Sequence, residues 1–203
     1  MALRVKGRAA VVVAAVAAGV PEDQARAEID AALSRGEVVR AGAARGAGAE
    51  SYWLTDAGRS ELAALLAAEV LDHAALAALY EEFLPVDAVL KARVSAWQLL
   101  FPERRDAGAT AGVQAVGAEA HVLVERLASL ADRFAPYAMR LRAALEAVAS
   151  GDGRFVASPQ VDSLHQTWFE LHEDLLLTLG RPRARSGLRT PSGPRTPSGT
   201  STP

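Results

Sequence analysis

The residues best suited to chemistry lie close together near the carboxyl end of the chain. Residues 161–175 read Val-Asp-Ser-Leu-His-Gln-Thr-Trp-Phe-Glu-Leu-His-Glu-Asp-Leu, and the spacing of their apolar side chains predicts a helix. Steps of three and four place one set of side chains along a single side of that helix: Asp162, His165, Phe169 and His172. Two histidines with a carboxylate are candidate ligands for a divalent metal ion, or can line a pocket for an acidic ligand.

The spacing argues against both a metal site and catalysis. Seven residues of helix advance about 10.5 Å, so one ion cannot bind both His165 and His172, and buried histidines bonded to a carbonyl or carboxylate are the simpler interpretation. Neighbouring residues on one helix point in diverging directions, so Asp162, Ser163 and His165 do not form a catalytic triad. The chain has no cysteine, which excludes thiolate catalysis and disulfides. We predict no catalytic residue, no metal, no cofactor and no enzyme activity.

A second polar group, made of Lys91, Arg93, Trp97 and Gln98, follows Pro85 in the sequence. On one helix these side chains either face a cavity shared with the helix of the two histidines or pair with nearby acidic residues. A pocket between the two helices would bind a small molecule. The predicted ligand-pocket residues are Lys91, Trp97, His165, Trp168 and His172.

The elements that would position a binding surface begin with a hairpin. Two short apolar runs, at 38–40 and 52–54, are joined by a Gly/Ala-rich bridge, which predicts a β-hairpin with a long loop. Thr55 follows at a helix N-cap position, where its hydroxyl accepts from backbone N–H groups of the next helix. Upstream, residues 9–18 and 21–36 predict two helices joined by a tight turn. This order of helix, turn, helix, hairpin and helix is that of a winged helix-turn-helix.

In a helix-turn-helix the second helix reads the major groove of DNA. Helix 21–36 has an apolar stripe on one side, so its opposite side faces outward. From that helix Gln24 and Arg26 can reach base edges, and Arg45 in the wing can enter a minor groove or meet a phosphate. The alternative for each arginine is a solvated surface charge. The predicted DNA-contacting residues are Gln24, Arg26, Arg35, Arg40 and Arg45.

Downstream of Thr55 the pattern is helical to the end of the folded part, as expected for a chain rich in Ala, Leu, Arg and Glu. In order, we predict a helix from Thr55 that ends at Pro85 with a break near Asp72, a helix at 86–99, a loop at 101–112, helices at 113–134 and 136–149, a turn at 150–153, and a last helix that opens at Ser158 or Pro159 and ends at Gly180. The predicted fold is mainly α: an N-terminal winged helix with a small β-hairpin, followed by an all-helical C-terminal domain.

Charge is unevenly distributed along the chain. Lys+Arg against Asp+Glu number 8 against 8 in residues 1–66, 9 against 16 in residues 67–180, and 5 against 0 in residues 181–203. A neutral N-terminal part lacks the basic face of a tight general DNA binder. The Pro/Gly/Ser/Thr/Arg-rich tail cannot bury enough apolar area to offset chain entropy, which predicts disorder. We predict a winged-helix domain at 1–66, a helical dimerisation or ligand domain at 67–180, and a disordered tail at 181–203.

The amino end carries a competing pattern. Arg4, Lys6 and Arg8 precede an apolar run at 9–20, which also fits a secretory signal peptide. The run is too short to span a membrane, and the winged-helix order needs it as a helix. We therefore expect a cytoplasmic protein with no membrane partner.

Over residues 2–180 the chain resembles bacterial winged helix-turn-helix transcriptional regulators of the MarR-like kind. The motifs that carry the resemblance are Leu54-Thr55-x-x-Gly58-Arg59, Phe83-Leu84-Pro85-Val86-Asp87, Trp97-Gln98 and Trp168-Phe169-Glu170-Leu171-His172-Glu173-Asp174-Leu175. The chain departs from these regulators in its Ala/Gly-rich wing and in Asp87, where an Asn is expected. The resemblance implies a regulator of transcription.

We therefore expect a transcriptional regulator that binds double-stranded DNA, responds to a small-molecule effector and forms a homodimer through its C-terminal helices. The alternative is a winged-helix protein-interaction scaffold that does not bind DNA. The neutral N-terminal part and the acidic residues of helix 21–36 favour that alternative.

Overall fold

The computed structural model describes residues 1–41, 50–101 and 107–182. Within these ranges the protein is mainly helical with one small antiparallel sheet, which confirms the expected fold class at that level. The elements are α1 (Ala2–Lys6), α2 (Val11–Ala18), α3 (Glu22–Ser34), β1 (Val38–Ala41), β2 (Ser51–Leu54), α4 (Asp56–Ala68), α5 (His73–Gln98), α6 (Ala107–Leu130), a 3₁₀ turn (Asp132–Phe134), α7 (Ala135–Ala149), α8 (Arg154–Ala157) and α9 (Leu164–Thr178).

The hairpin forms as predicted. Strands β1 and β2 pair antiparallel, with Val38 opposite Leu54 and Arg40 opposite Tyr52. A further bridge joins Tyr52 to Ala9, whose backbone groups exchange two hydrogen bonds of 2.8 and 3.1 Å. The segment between α1 and α2 therefore lies beside the hairpin and pairs with it at this one isolated bridge. The hairpin loop at 42–49 falls outside the described residues.

The start of α4 is held tightly against the start of β1. Thr55 Oγ1 accepts from the Gly58 backbone N–H at 3.1 Å and donates to the Gly36 carbonyl at 2.7 Å, so the predicted N-cap is confirmed. A Cβ at Gly58 would lie only 2.0 Å from the Glu37 carbonyl oxygen. Only glycine allows this approach of two backbones. The Arg59 guanidinium donates to the Leu54 carbonyl at 2.8 Å and closes the same corner.

The prediction that Pro85 ends a helix is wrong, because α5 continues through it to Gln98. A proline inside a helix removes one backbone hydrogen bond and costs about 3 kcal/mol. The buried residues keep one helical stripe on both sides of it: Leu76, Leu79, Tyr80, Phe83, Asp87, Leu90, Val94 and Trp97. Packing of this stripe offsets the cost, so tertiary contact overrides the local breaker.

Three other element boundaries also differ from the prediction. Helix α6 begins at Ala107, inside the expected loop, and ends at Leu130 rather than at Phe134. Helix α9 begins at Leu164, where the Ser163 hydroxyl accepts from the Gln166 N–H, and not at residue 158 or 159. The break near Asp72 is real, since its carboxylate accepts from the Ala75 N–H and starts α5. The axes of α4 and α5 differ by 109° at this break. The two helices therefore do not form one continuous helix between the amino-terminal part and the helical part that follows it.

Two clusters of buried hydrophobic side chains stabilise the protein. One is drawn from residues 3–54 and includes Ile29 and Tyr52, and the other is drawn from residues 76–176 and includes Phe83. Outside these two clusters, the end of α2 approaches the start of α7 closely at Gly19, where a Cβ would lie 2.8 Å from the Pro136 side chain.

None of the helices in the described ranges has by itself the length and apolar composition for a membrane crossing. The bent pair α4 and α5 passes that test only when both helices are taken together.

Candidate functional site

Helix α3 carries three of the predicted DNA-contacting residues, and the structure places them on its flanks. Ala25 and Ile29 are buried, and 100° per residue puts Gln24 and Arg26 to either side of Ala25. Arg35 is the residue that caps the carboxyl end of α3. The line of α3 opposite its buried side consists of other exposed residues: Asp23, Ala27, Asp30 and Ser34. That outermost line carries two acidic residues and no basic one.

Each described arginine of the predicted DNA surface has a carboxylate partner. The Arg26 guanidinium lies 3.0 Å from Glu22, and Arg35 donates to both Glu37 oxygens at 2.7 and 2.9 Å. Arg40 in β1 lies 3.4 Å from Glu50 and 5.9 Å from the centre of the Tyr52 ring. Exposed ion pairs of this kind are weak and screened by salt, so a phosphate can compete with them.

Hydrogen bonding also shifts two pKa values in this surface. The hydrogen bond to Glu37 raises the pKa of Arg35, and the same bond lowers the pKa of the Glu37 carboxyl. Both groups are therefore charged at neutral pH. Arg45, the remaining predicted DNA contact, lies in 42–49, outside the described residues.

Three of the five predicted pocket residues, Lys91, Trp168 and His172, lie around one buried carboxylate. Asp87 Oδ1 accepts from the Trp168 indole Nε1 at 3.0 Å, and Oδ2 accepts from Lys91 Nζ at 2.7 Å. The His172 Nδ1 atom lies 3.7 Å from the same carboxylate, and its Nε2 is 3.2 Å from the Tyr80 hydroxyl. We call these five residues the Asp87 cluster. It joins α5 to α9.

Aromatic stacking completes the contact between α5 and α9. The Phe83 and Trp168 rings stack with centroids 4.3 Å apart and planes within 10°, and the Phe83 centroid is 4.9 Å from that of His172. Phe83 and Trp168 are almost completely buried. Stacked aromatic pairs contribute about 0.5–1.5 kcal/mol beyond area burial. The arrangement is that of a packed aromatic core in which the Trp168 N–H has Asp87 as its acceptor.

The other two predicted pocket residues have different surroundings. His165 is half-buried beside Lys91 and Asp87; burial and then the charge of Lys91 lower the pKa of its ring. Trp97 packs its indole against Gly153, where a Cβ would lie 3.0 Å from the ring. Trp97 is therefore in the core between α5 and the turn before α8, away from the Asp87 cluster.

Sequence reasoning missed a second buried cluster, which contains Lys6, Arg140, Asp162 and Glu170. Arg140 donates to both Asp162 oxygens at 2.6 Å and to Glu170 at 2.7 Å. Lys6 Nζ lies 2.7 Å from Glu170 and 3.5 Å from Asp162. We call this the Arg140 cluster. It brings α1, α7 and α9 together.

The Arg140 cluster shifts the pKa values of its members in opposite directions. Burial alone would lower the pKa of Arg140, but its hydrogen bond to Asp162 and the charge of Glu170 raise it above the usual value. Burial alone would raise the pKa of Asp162, but Arg140 and Lys6 lower it below the usual range. Both groups therefore stay charged. Within α9, Glu170 and Asp174 are acidic residues at i,i+4 spacing on one side of the helix, but that spacing does not identify Arg140 as a partner.

A third cluster lies one helical turn further along α9. Arg133 donates to Asp174, to the Thr178 hydroxyl at 2.6 Å and to both Glu69 oxygens at 2.9 Å. The Tyr137 hydroxyl donates to Asp174 at 3.0 Å, and burial together with that carboxylate raises the pKa of Tyr137 well above its usual value. Glu170 and Asp174 of α9 thus form ion pairs with basic side chains of the same chain.

The amino-terminal helix docks on this acidic face. Besides the Lys6 contacts, Arg4 lies 3.2 Å from Glu173 on α9. In the described ranges no three histidine or acidic side chains are placed to hold a metal ion. The charged residues of α9 therefore hold neighbouring helices against it through ion pairs, and each buried charge has a partner of opposite charge, as burial requires.

No family model, curated protein or solved structure matches this chain.

Proposed function

We propose that residues 1–66 form a winged helix-turn-helix. The observation that carries this proposal is the isolated Ala9–Tyr52 bridge, which holds the segment just before α2 against the hairpin. The Thr55 cap on Gly58 and the close approach of Gly58 to the Glu37 carbonyl support it further, because they hold the start of α4 directly against the hairpin. Helices α2 and α3 then occupy the two helix positions of the motif.

On that basis we propose a cytoplasmic, DNA-binding transcriptional regulator of MarR-like type. Double-stranded DNA would be contacted by Gln24, Arg26 and Arg35 on the flanks of α3 and by Arg40 in the hairpin. Useful affinity would come from a homodimer, which presents two such surfaces to successive turns of the duplex. The helical part, residues 67–180, would supply the dimer interface and respond to an effector. The Asp87 cluster supports this role because it rigidly couples α5 to α9.

A salt titration tests DNA binding. Fluorescence anisotropy of labelled genomic fragments would be measured across salt concentrations for the full chain and for Arg35→Gln and Arg40→Gln. Each lost phosphate contact should reduce the slope of log affinity against log salt by about 0.9. Arg142→Gln is the matched control, since Arg142 is an exposed arginine on α7 with a single distant carboxylate partner, Glu146, at 3.9 Å.

A second candidate function is a winged-helix protein-interaction scaffold without DNA binding. The observation that favours it is the outermost line of α3, which presents Asp23 and Asp30 where a DNA reader presents cations. An acidic line of this kind would repel phosphate and attract a basic protein surface. Absence of binding to every fragment at low salt would reject the regulator and leave the scaffold.

A further inference from the structure

A solvent-open cavity of about 440 Å³ lies in the amino-terminal part and is lined by residues of α1, α2, α3, the hairpin and α4. The helices line it with small side chains at positions where a filled core needs large ones: Ala14, Ala18, Ala25 and Ala32. Alanine buries little area, so these helices meet without filling the space between them. The volume lies within the range of small-molecule sites, about 300–1,000 Å³.

Helix α4 leaves its own apolar side chains uncovered at this cavity. Leu62 and Leu65 line it, yet Leu65 is 60 % exposed. Gly58 is the single buried residue of α4. Burying these leucines is favourable by about 25 cal/mol per Å² of apolar surface. The face of α4 toward α3 therefore has an apolar surface that an occupant of the cavity would cover.

The polar groups at the cavity have one sign of charge in excess. Glu28, Glu37 and Glu61 line it together with Arg35 and with Met1, which carries the α-amino group of the chain. Arg35 already forms its bidentate contact with Glu37. Within residues 1–41, 50–101 and 107–182, Glu28 and Glu61 form no ion pair, and both lie near enough to Arg35 to raise its pKa. Two carboxylates without an ion-pair partner among the described residues thus lie at the edge of an apolar space.

We propose that this cavity is a binding site for a lipophilic monocation, such as an amine or quaternary ammonium compound with an alkyl or aromatic body. The alanines, Leu62 and Leu65 would contact the apolar body. Glu28 and Glu61 would attract the positive head. The same two carboxylates would repel a lipophilic anion. The proposal does not rest on DNA binding, although Gln24 and Arg35, two of the proposed DNA contacts, also line the cavity.

Three probes with one chain and different heads test the charge preference: decyltrimethylammonium, decanol and decyl sulfate, each below its micelle concentration. Calorimetric titration of the full chain at low salt should give the cation an affinity roughly ten-fold above that of the alcohol, from two exposed carboxylates. The sulfate should bind more weakly still. Equal affinity for the three probes, or no binding of the cation, would overturn the proposal.

Two variants locate the site. Glu28→Gln with Glu61→Gln should remove the cation's roughly ten-fold advantage over the alcohol while leaving alcohol binding unchanged. Ala32→Leu fills the cavity and should abolish binding of both probes while thermal unfolding shows a folded chain. The matched control, Glu119→Gln with Glu146→Gln, removes two exposed carboxylates on α6 and α7 and should change nothing. If the Glu119/Glu146 double variant lost as much cation binding as the Glu28/Glu61 double variant, the effect would come from net charge, and the proposed site would be wrong.

Discussion

The Trp168 indole Nε1 donates a hydrogen bond of 3.0 Å to Asp87 Oδ1. The two residues are 81 positions apart in the sequence, and their bond joins α9 to α5. Phe83 stacks on the same indole, one helical turn before Asp87. Two sequence motifs that look separate in the chain, around Pro85 and around Trp168, are therefore the two halves of one contact. Asp87 fits that contact because a carboxylate accepts from both Trp168 and Lys91.

The first prediction concerns Asp87. Asp87→Ala should lower the free energy of unfolding by about 2–3 kcal/mol, because the buried Trp168 N–H loses its acceptor. Asp87→Asn keeps an acceptor oxygen and should cost less than about 1 kcal/mol. Urea unfolding followed by tryptophan fluorescence measures both. Equal losses in the two variants would show that the charge of Asp87, not its hydrogen bond to Trp168, stabilises the contact.

The second prediction concerns the Arg140 cluster. Arg140→Met should cost about 3–5 kcal/mol, because it leaves the buried Glu170 with Lys6 as its remaining ion-pair partner. Arg142→Met, two residues along α7, removes an exposed arginine and should cost less than about 0.5 kcal/mol. Chemical unfolding of both variants makes the comparison. A small loss for Arg140→Met would mean that α7 and α9 are held by apolar packing alone.

The third prediction concerns Gly58. Gly58→Ala places a methyl group against the Glu37 carbonyl, so it should cost about 2–3 kcal/mol or unfold the amino-terminal part. Gly112→Ala on α6 is the matched change: its Cβ would meet the Arg93 side chain at an ordinary 3.5 Å. That variant should gain up to about 1 kcal/mol from helix propensity. Thermal unfolding followed by circular dichroism compares them, and a neutral Gly58→Ala would contradict the backbone contact.

The fourth prediction concerns pH. The folded state lowers the pKa of His165 below its ordinary value of 6.5, so the unfolded chain binds the proton more tightly. Stability should therefore fall as pH drops from 7 toward 5, and the fall should be small because the ring is half-exposed. His165→Gln should lose that share of the pH dependence. His73→Gln, a change at an exposed histidine, should retain it, and identical profiles for wild type and His165→Gln would refute the prediction.

Local rules predicted the amino-terminal part well. A hydroxyl at Thr55, a glycine after each early helix and two apolar runs around a Gly/Ala bridge act over a few residues, so they can be read directly from the sequence. The hairpin and the cap at Thr55 form where those rules place them. The Ala9–Tyr52 bridge could not be predicted, because it pairs segments 43 residues apart.

Long-range packing explains the errors. Pro85 is a helix breaker locally, yet a buried stripe that continues on both sides of it keeps α5 intact. The sequence pattern singled out His165 and His172 as candidate pocket residues. The buried charge network is instead built from Arg140, Glu170 and Asp162. Their partnership depends on how α7 lies against α9, and no spacing within either segment encodes that placement.

The docking of α1 on α9 has a consequence for the order of folding. Lys6 meets Asp162 across 156 positions of sequence, and closing so long a loop is entropically costly until the intervening chain is compact. The first helix is only five residues long, too short to persist alone. We therefore expect α1 to become helical only after α9 and its neighbours have packed together.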